Sequence, residues 1–373
     1  MKKKLLALVC ALVMIFSLAS CGLSTPDTVG KVGDFEVSSG LYLLAQFSAY
    51  QQAAQLAGTD QDATDVKAFL KETITTDTDT GDTAVVQDYV ADKTLETLRT
   101  FAAIDARFAE LGGELTAEQT QMADNYAQQL MDQYGSTYTA NGIGLETLKA
   151  FERIQLKHTL LLTLVYGPDG ESPVDDSDLT EHLDSQMYEL AYVNIPLYNT
   201  STFVSASDDQ KAQLLQLAQA AASCSETQDG SVSEQVSALH SAASAALPDI
   251  YAVLDSTPAE DASNVQTELL TESDLTGAFT QDGAADAVRG LVYGEAAAVQ
   301  YNAASIILMM RIDPLQVSTL DALRTQILSD MKGDELEDAL TAYGSTLEND
   351  LSTSAMNKMP ASKIVNPSSS SNS

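Results

Sequence analysis

From Ala84 to Leu111 apolar side chains recur every three or four residues, at Leu95, Leu98, Phe101, Ile104, Phe108 and Leu111. At 3.6 residues per turn this spacing lines one face, so the segment buries its apolar groups efficiently only as a long amphipathic helix. Gly112-Gly113 predicts its end. Thr116 with Gln119 predicts a capping box opening a helix to about Tyr134. Leu145, Leu148, Phe151 and Ile154 lead a further helix to Val165, which Gly167-Pro168 stops. Upstream, Val29 to Val37 alternates loosely around two glycines and predicts a short strand or hairpin. Ser38 then caps a helix to about Ala57, Gly58 to Asp62 is a loop, and Ser177 caps one more helix through Met187.

The pattern changes at Tyr188. Ala191 to Leu197 predicts a strand, Asp208 to Cys224 a helix, and Ser231 to Leu247 a second helix. Pro248 to Asp261 carries no clear pattern. Ala284 to Val292 predicts a short helix, Gly294 follows, and Ala303 to Ile312 contains an apolar run of strand length. After Pro314 amphipathic patterning returns in Leu315 to Met331 and Asp334 to Asn349, separated by Gly333. The expected fold class is therefore mainly α with an α+β insert, two helical blocks flanking a compact unit. The last helices are expected to complete the N-terminal body.

The first twenty residues read as an address. Lys2, Lys3 and Lys4 precede the apolar run Leu5 to Leu18, and small residues lead into Cys21. This is the layout of an export signal. Leu18-Ala19-Ser20-Cys21, followed by Gly22, resembles the lipobox of bacterial lipoproteins. That resemblance implies cleavage before Cys21 and acylation of it, giving a lipid anchor outside the cytoplasm. Removing residues 1–20 takes away three Lys and no acid. The 373-residue chain has 19 basic and 53 acidic side chains; 16 and 53 then remain, for a net charge of −37. Such a field repels phosphate backbones and excludes nucleic acid as a partner. Cys224 is then the one thiol besides Cys21, so no disulfide framework is available, and it reads as a small helix-end residue.

Catalytic motifs are missing. There is no phosphate loop, no dinucleotide glycine fingerprint, no Gly-x-Ser-x-Gly elbow and no His-Glu-x-x-His. The three histidines, His158, His182 and His240, stand apart from one another and from other metal ligands, so neither a metal nor a cofactor is expected. His158 reads as a core or helix-surface residue and His182 as solvated. Asp77, Asp79 and Asp82 depart from a calcium loop, because Gly81 takes the fifth position; Thr75 to Thr83 reads as a solvated loop. Asp175-Asp176 reads as helix-start charge.

The order of segments resembles the SurA/PrsA-type foldase lipoproteins over nearly all of the chain after residue 20. Val29-Gly30-Lys31-Val32-Gly33-Asp34-Phe35-Glu36-Val37 is similar to that family's opening segment. Val174-Asp175-Asp176-Ser177-Asp178-Leu179 resembles the helix leading into its parvulin domain. Leu291-Val292-Tyr293-Gly294-Glu295 resembles a parvulin turn, and Lys358 to Pro367, with Lys363-Ile364, the family's closing segment. The resemblance implies a discontinuous helical chaperone domain, 29–187 completed by 314–366, around a parvulin-like domain at 188–313. Residues 21–28 would be a tether and 367–373 a disordered tail. The insert would be a four-stranded antiparallel sheet with flanking helices. Parvulin strands carry two histidines; in Val193-Asn194-Ile195-Pro196 and Ala304-Ser305-Ile306-Ile307 those positions are held by Asn194 and Ser305. The implied function is a membrane-anchored chaperone for unfolded exported polypeptides, with a catalytically inactive parvulin module. The alternatives are an active peptidylprolyl cis-trans isomerase and a solute-binding lipoprotein of a transporter. Neither the client nor the choice between monomer and dimer is specified by the sequence.

Overall fold

The computed structural model describes residues 26–58, 65–78, 80–227 and 230–366. The export signal, Cys21, most of the tether, Asp79 and the Ser-rich tail lie outside the described residues. In chain order the first elements are β1 (Thr28–Val32), β2 (Phe35–Ser38), α1 (Ser39–Leu56), α2 (Val66–Phe69), β3 (Thr73–Thr75), β4 (Thr83–Val85), α3 (Val86–Glu110), α4 (Ala117–Ala140) and α5 (Leu145–Tyr166). Then come α6 (Asp176–Gln186), β5 (Met187–Pro196), α7 (Asp208–Ser225), α8 (Val232–Val253), β6 (Gln266–Thr271), α9 (Glu272–Ala278) and α10 (Ala284–Arg289). The chain closes with β7 (Ala296–Gln300), β8 (Ser305–Arg311), α11 (Pro314–Val317), α12 (Leu320–Thr346), β9 (Asn349–Leu351), α13 (Thr353–Met356) and a 3-10 turn at Ala361–Lys363. It is a mainly helical protein with one four-stranded antiparallel sheet.

The chain divides into two compact units. Of the described residues, one comprises those up to Val165, Asp169–Glu171 and those from Gly333 onward; the other comprises Tyr166–Pro168 and those from Ser172 to Lys332. In the first, β9 from the end of the chain pairs antiparallel with β1 from its beginning, Gly30 opposite Leu351. Gly30 sits at φ +125°, and a Cβ there would lie 2.2 Å from the Asp350 carbonyl oxygen, so this approach requires glycine. The C-terminal segment is held twice more. Gln46 Nε2 donates to the Met359 carbonyl at 3.2 Å, and Asn141 donates to and accepts from the Val365 backbone at 2.9 Å each. The core of this unit joins Tyr50, Ala53, Phe69, Ile74, Val86 and Val90, with Tyr50 and Phe69 edge to face at 5.4 Å. Of the predicted stripe on α3, Leu98, Phe101, Ile104 and Phe108 are buried.

In the second unit the sheet order is β6-β5-β8-β7, every pair antiparallel. One face carries Ala191, Val193, Ile195, Ile306, Leu308 and Met310 against Leu214 and Ala218 of α7 and Leu239, Ala243 and Ile250 of α8. The other carries Tyr188, Leu190, Ile307 and Met309 against Leu275, Phe279 and Val288. A strand covered on both sides reads as an almost unbroken apolar run, which is why β5 stands out in the sequence.

Several sequence expectations are corrected. Gly333 does not separate two helices; α12 runs through it for 27 residues. A glycine inside a helix costs about 1 kcal/mol, less than the burial of Ile327 and Leu328 before it and Leu336 and Leu340 after it contributes. Pro248 does not mark the end of order: α8 continues past it to Val253 and buries Ile250 and Tyr251. Ser177 is not the cap of α6, whose N-cap position is Asp175. The solvated loop at Thr75 to Thr83 is bounded by the paired strands β3 and β4, so α3 starts at Val86 rather than Ala84. The elements β6, α9 and β7 lie where no strand or helix was read; their strands are short, and alternation over five or six residues is a weak signal.

Two glycines in helices test the packing. A Cβ at Gly344 in α12 would lie 2.8 Å from the Arg99 carbonyl oxygen, whereas one at Gly277 in α9 meets nothing within 4 Å. Both positions gain from alanine's helix propensity, but only Gly344 meets backbone. Gly277→Ala is therefore expected to leave stability unchanged or raise it by up to about 1 kcal/mol, and Gly344→Ala to lower it by roughly 1–3 kcal/mol. Denaturant unfolding of the two variants checks the opposite signs.

Candidate functional site

The two faces of the four-stranded sheet are covered unequally. Helices α7 and α8 have 18 and 22 residues, about 27 and 33 Å at 1.5 Å per residue, long enough to span the strands. Helices α9 and α10 have seven and six, each about 10 Å long. They cover the β5 face around Tyr188 and Leu190 and leave the stretch beyond open. The result is a groove of about 530 Å³ over Leu190, Tyr192 and Asn194 of β5, Glu268 and Leu270 of β6, and Ile307 of β8. Its walls are Ser273, Asp274, Gly277, Ala278 and Phe279 on one side and Tyr301 on the other. The Phe279 and Tyr301 rings pack tilted with centroids 5.3 Å apart. This volume falls in the range that encloses a few side chains of a ligand.

Asn194 is an exposed part of this groove, on the strand face that also presents Tyr192. It lies opposite Ile307, while Ser305 lies opposite Pro196. Strand alternation therefore puts Asn194 and Ser305 on the same face, one diagonal step apart. Ser305 is half-buried and is not among the lining residues.

The histidines are engaged elsewhere. His182 Nε2 lies 2.6 Å from Asp330 Oδ2, and His240 Nδ1 lies 2.8 Å from the Ser263 carbonyl oxygen. His158 Nε2 lies 3.0 Å from Glu337 Oε1. Its proximity holds the Glu337 carboxyl below the usual carboxylate range, against the opposing effect of burial. The expectation that His182 is solvated is overturned: its side chain is 19% exposed, and it is turned onto an acid of α12. Among the described residues no group of three or more His, Cys, Asp or Glu side chains is placed to hold a metal ion. Cys224 is exposed near the end of α7.

The electrostatics of the groove are negative. Tyr192 donates to Glu268 Oε2 at 3.2 Å, and its hydroxyl is pushed up first by burial and then by the Glu268 charge. Glu189, on the other face of β5 from the groove, is 6% exposed. Burial, aided by Glu268, pushes its carboxyl up from 4.5 to about 7. The sequence pointed to Asn194 but not to Tyr192, Glu268, Gly277, Phe279 or Tyr301. The one local signal for this wall was Thr271 with Asp274, a capping box that opens α9.

A second surface lies in the other unit. Along α4 the buried residues are Ala123 and Ala127 alone. Met122, Tyr126 and Tyr134 are 43%, 53% and 47% exposed at four-residue steps or multiples of them, a strip of apolar and aromatic groups facing water.

No protein-family model matches the chain, and no curated protein matches it. Among solved structures it is paired with the foldase protein PrsA from Streptococcus pneumoniae, at 12% identity and a TM-score of 0.34, over 76% of this chain and 97% of that one. At that score the function has to be argued from the chain's own sheet, groove and sequence.

Glu189 supplies a pH test. An acid whose folded value is raised favours the folded state only while protonated. Its contribution is full below 4.5 and is lost as the pH rises through about 7. Glu189→Gln is expected to stabilise the protein at about pH 8 by roughly 1–3 kcal/mol and to converge with the parent below about pH 4.5. Urea unfolding at the two pH values measures it; an equal difference at both would show that folding leaves the Glu189 carboxyl unshifted.

Proposed function

We propose that this chain is a chaperone of the foldase kind, anchored outside the cytoplasmic membrane through acylated Cys21, that transiently covers apolar stretches of unfolded exported polypeptides. The observation that carries this reading is the aromatic-walled groove on the open face of the sheet, which is shaped for a short extended segment and has no imidazole in it. The exposed strip on α4 supports it, since apolar surface on a protein this acidic is solubilised by charge rather than hidden. Anchoring rests on the Lys cluster, the apolar run and the resemblance of residues 18–22 to a lipobox.

The parvulin-like reading of the second unit is supported by its four antiparallel strands with helices on both faces. Rotation about a prolyl bond has a barrier of about 18–20 kcal/mol, and lowering it takes a positioned polar pocket around the prolyl carbonyl. Asn194 offers an amide to such a pocket, but Ser305 stands aside from it, and the paired-histidine arrangement of active parvulins is replaced at both positions. We therefore read the module as a peptide-contact surface without isomerase activity. The transporter-type solute binder is disfavoured because that class needs lobes of parallel strands alternating with helices, and every strand pair among the described residues is antiparallel.

The chain without its first 21 residues keeps every described element and is the protein to test. At equimolar ratio it is expected to suppress light scattering by an aggregating unfolded client; unchanged scattering rejects the chaperone reading. In a protease-coupled proline-peptide assay the isomerisation rate is expected to match the uncatalysed one. A faster rate that Asn194→Ala removes would overturn the inactive assignment. For the full chain, Cys21→Ser is expected to move the protein from the membrane pellet to the soluble fraction.

A further inference from the structure

We infer that the groove selects extended segments in which a bulky apolar side chain is flanked by lysine or arginine. This inference rests on the client-binding reading above and names the chemical class of client. The apolar half follows from the lining: the half-buried Tyr192 and Tyr301 rings stand over the buried Leu190, Ile307 and Phe279, and Gly277 leaves the helix wall open beside them. The cationic half follows from charge. Glu268 and Asp274 both line the groove, and no Lys or Arg does. Neither carboxylate has a basic partner among the described residues, whereas the nearby Glu272 is matched by Arg289. Asp274 caps the start of α9 and Glu268 accepts from Tyr192, so both are held in place by neutral donors that leave their charge uncompensated. An anionic segment entering here meets two like charges; a cationic one supplies the missing partners.

The test uses two fluorescein-labelled peptides with the same Phe-Pro-Phe centre, one flanked by Lys and one by Glu, titrated by anisotropy with the chain lacking its first 21 residues. At low ionic strength the Lys-flanked peptide is expected to bind about tenfold more tightly, the equivalent of about 1.4 kcal/mol. That preference is expected to fade towards about 1 M salt, where the Debye length falls to about 3 Å. Glu268→Gln is expected to cut the preference severalfold, and Gly277→Leu, which fills the groove from an open helix position, to weaken both peptides. Equal binding of the two peptides overturns the charge selection and leaves the chaperone reading standing. A Lys preference that survives both substitutions unchanged also overturns it, because the acidic surface at large would then be its source. Binding of neither peptide, with aggregation still suppressed, removes the groove as the site; loss of both activities removes the chaperone reading as well.

Discussion

Strand β5 is buried on both faces, and its neighbours take their places from that. Residues 191, 193 and 195 need a cover of long helices, and α7 and α8 provide it with small residues, Ala218, Ala221, Ala222 and Ala243, that let the helices approach closely. Residues 188 and 190 need a second cover, which α9 and α10 provide for only part of the strand's length. The groove is the uncovered remainder. Its aromatic walls are thus a consequence of core packing, since Phe279 is itself a core residue whose ring edge reaches Tyr301. A site made this way sits on rigid elements and offers a stable apolar floor.

Scarcity of cations shapes the rest. With 19 basic against 53 acidic side chains, most acids stay unmatched. Several of the basic residues tie separate elements together: Arg153 makes a two-bond contact with Asp124, Lys157 reaches Asp105, Arg107 reaches Glu171, and Arg324 reaches Asp176. Exposed pairs of this kind contribute at most about 1 kcal/mol each, but they fix which helix faces meet. What remains is a surface with a strong uniform sign. Such a surface keeps exposed apolar strips from associating with copies of themselves and biases encounters towards basic partners.

Helices were legible where periodicity ran for many turns. The stripe of α3, the capping box of α4 and the Ser38 cap of α1 are local signals, and local signals survive into the fold because they depend on residues within one or two turns. Readings failed where a local signal was weak or was overridden. Gly333 and Pro248 are breakers by propensity, yet the buried side chains around them outweigh that preference. The short strands β6 and β7 carry too few residues for alternation to register. Asn194 was singled out because the resemblance to a parvulin strand put it where a histidine is expected. Glu268 and Tyr301 were not, because a carboxylate on an edge strand and a tyrosine before a turn look the same whether they line a groove or face open water.

The amino-acid order alone determined the export signal reading, the acidity, the long helices and the strand Ala191 to Leu197, since each is a property of composition or of neighbours in sequence. Only the folded chain decided that β9 closes on β1 across more than three hundred residues, and that six residues from three strands and six from flanking segments share one groove. Pairings at such separation depend on which faces are left unburied after the local elements form, a quantity that no short window of sequence contains.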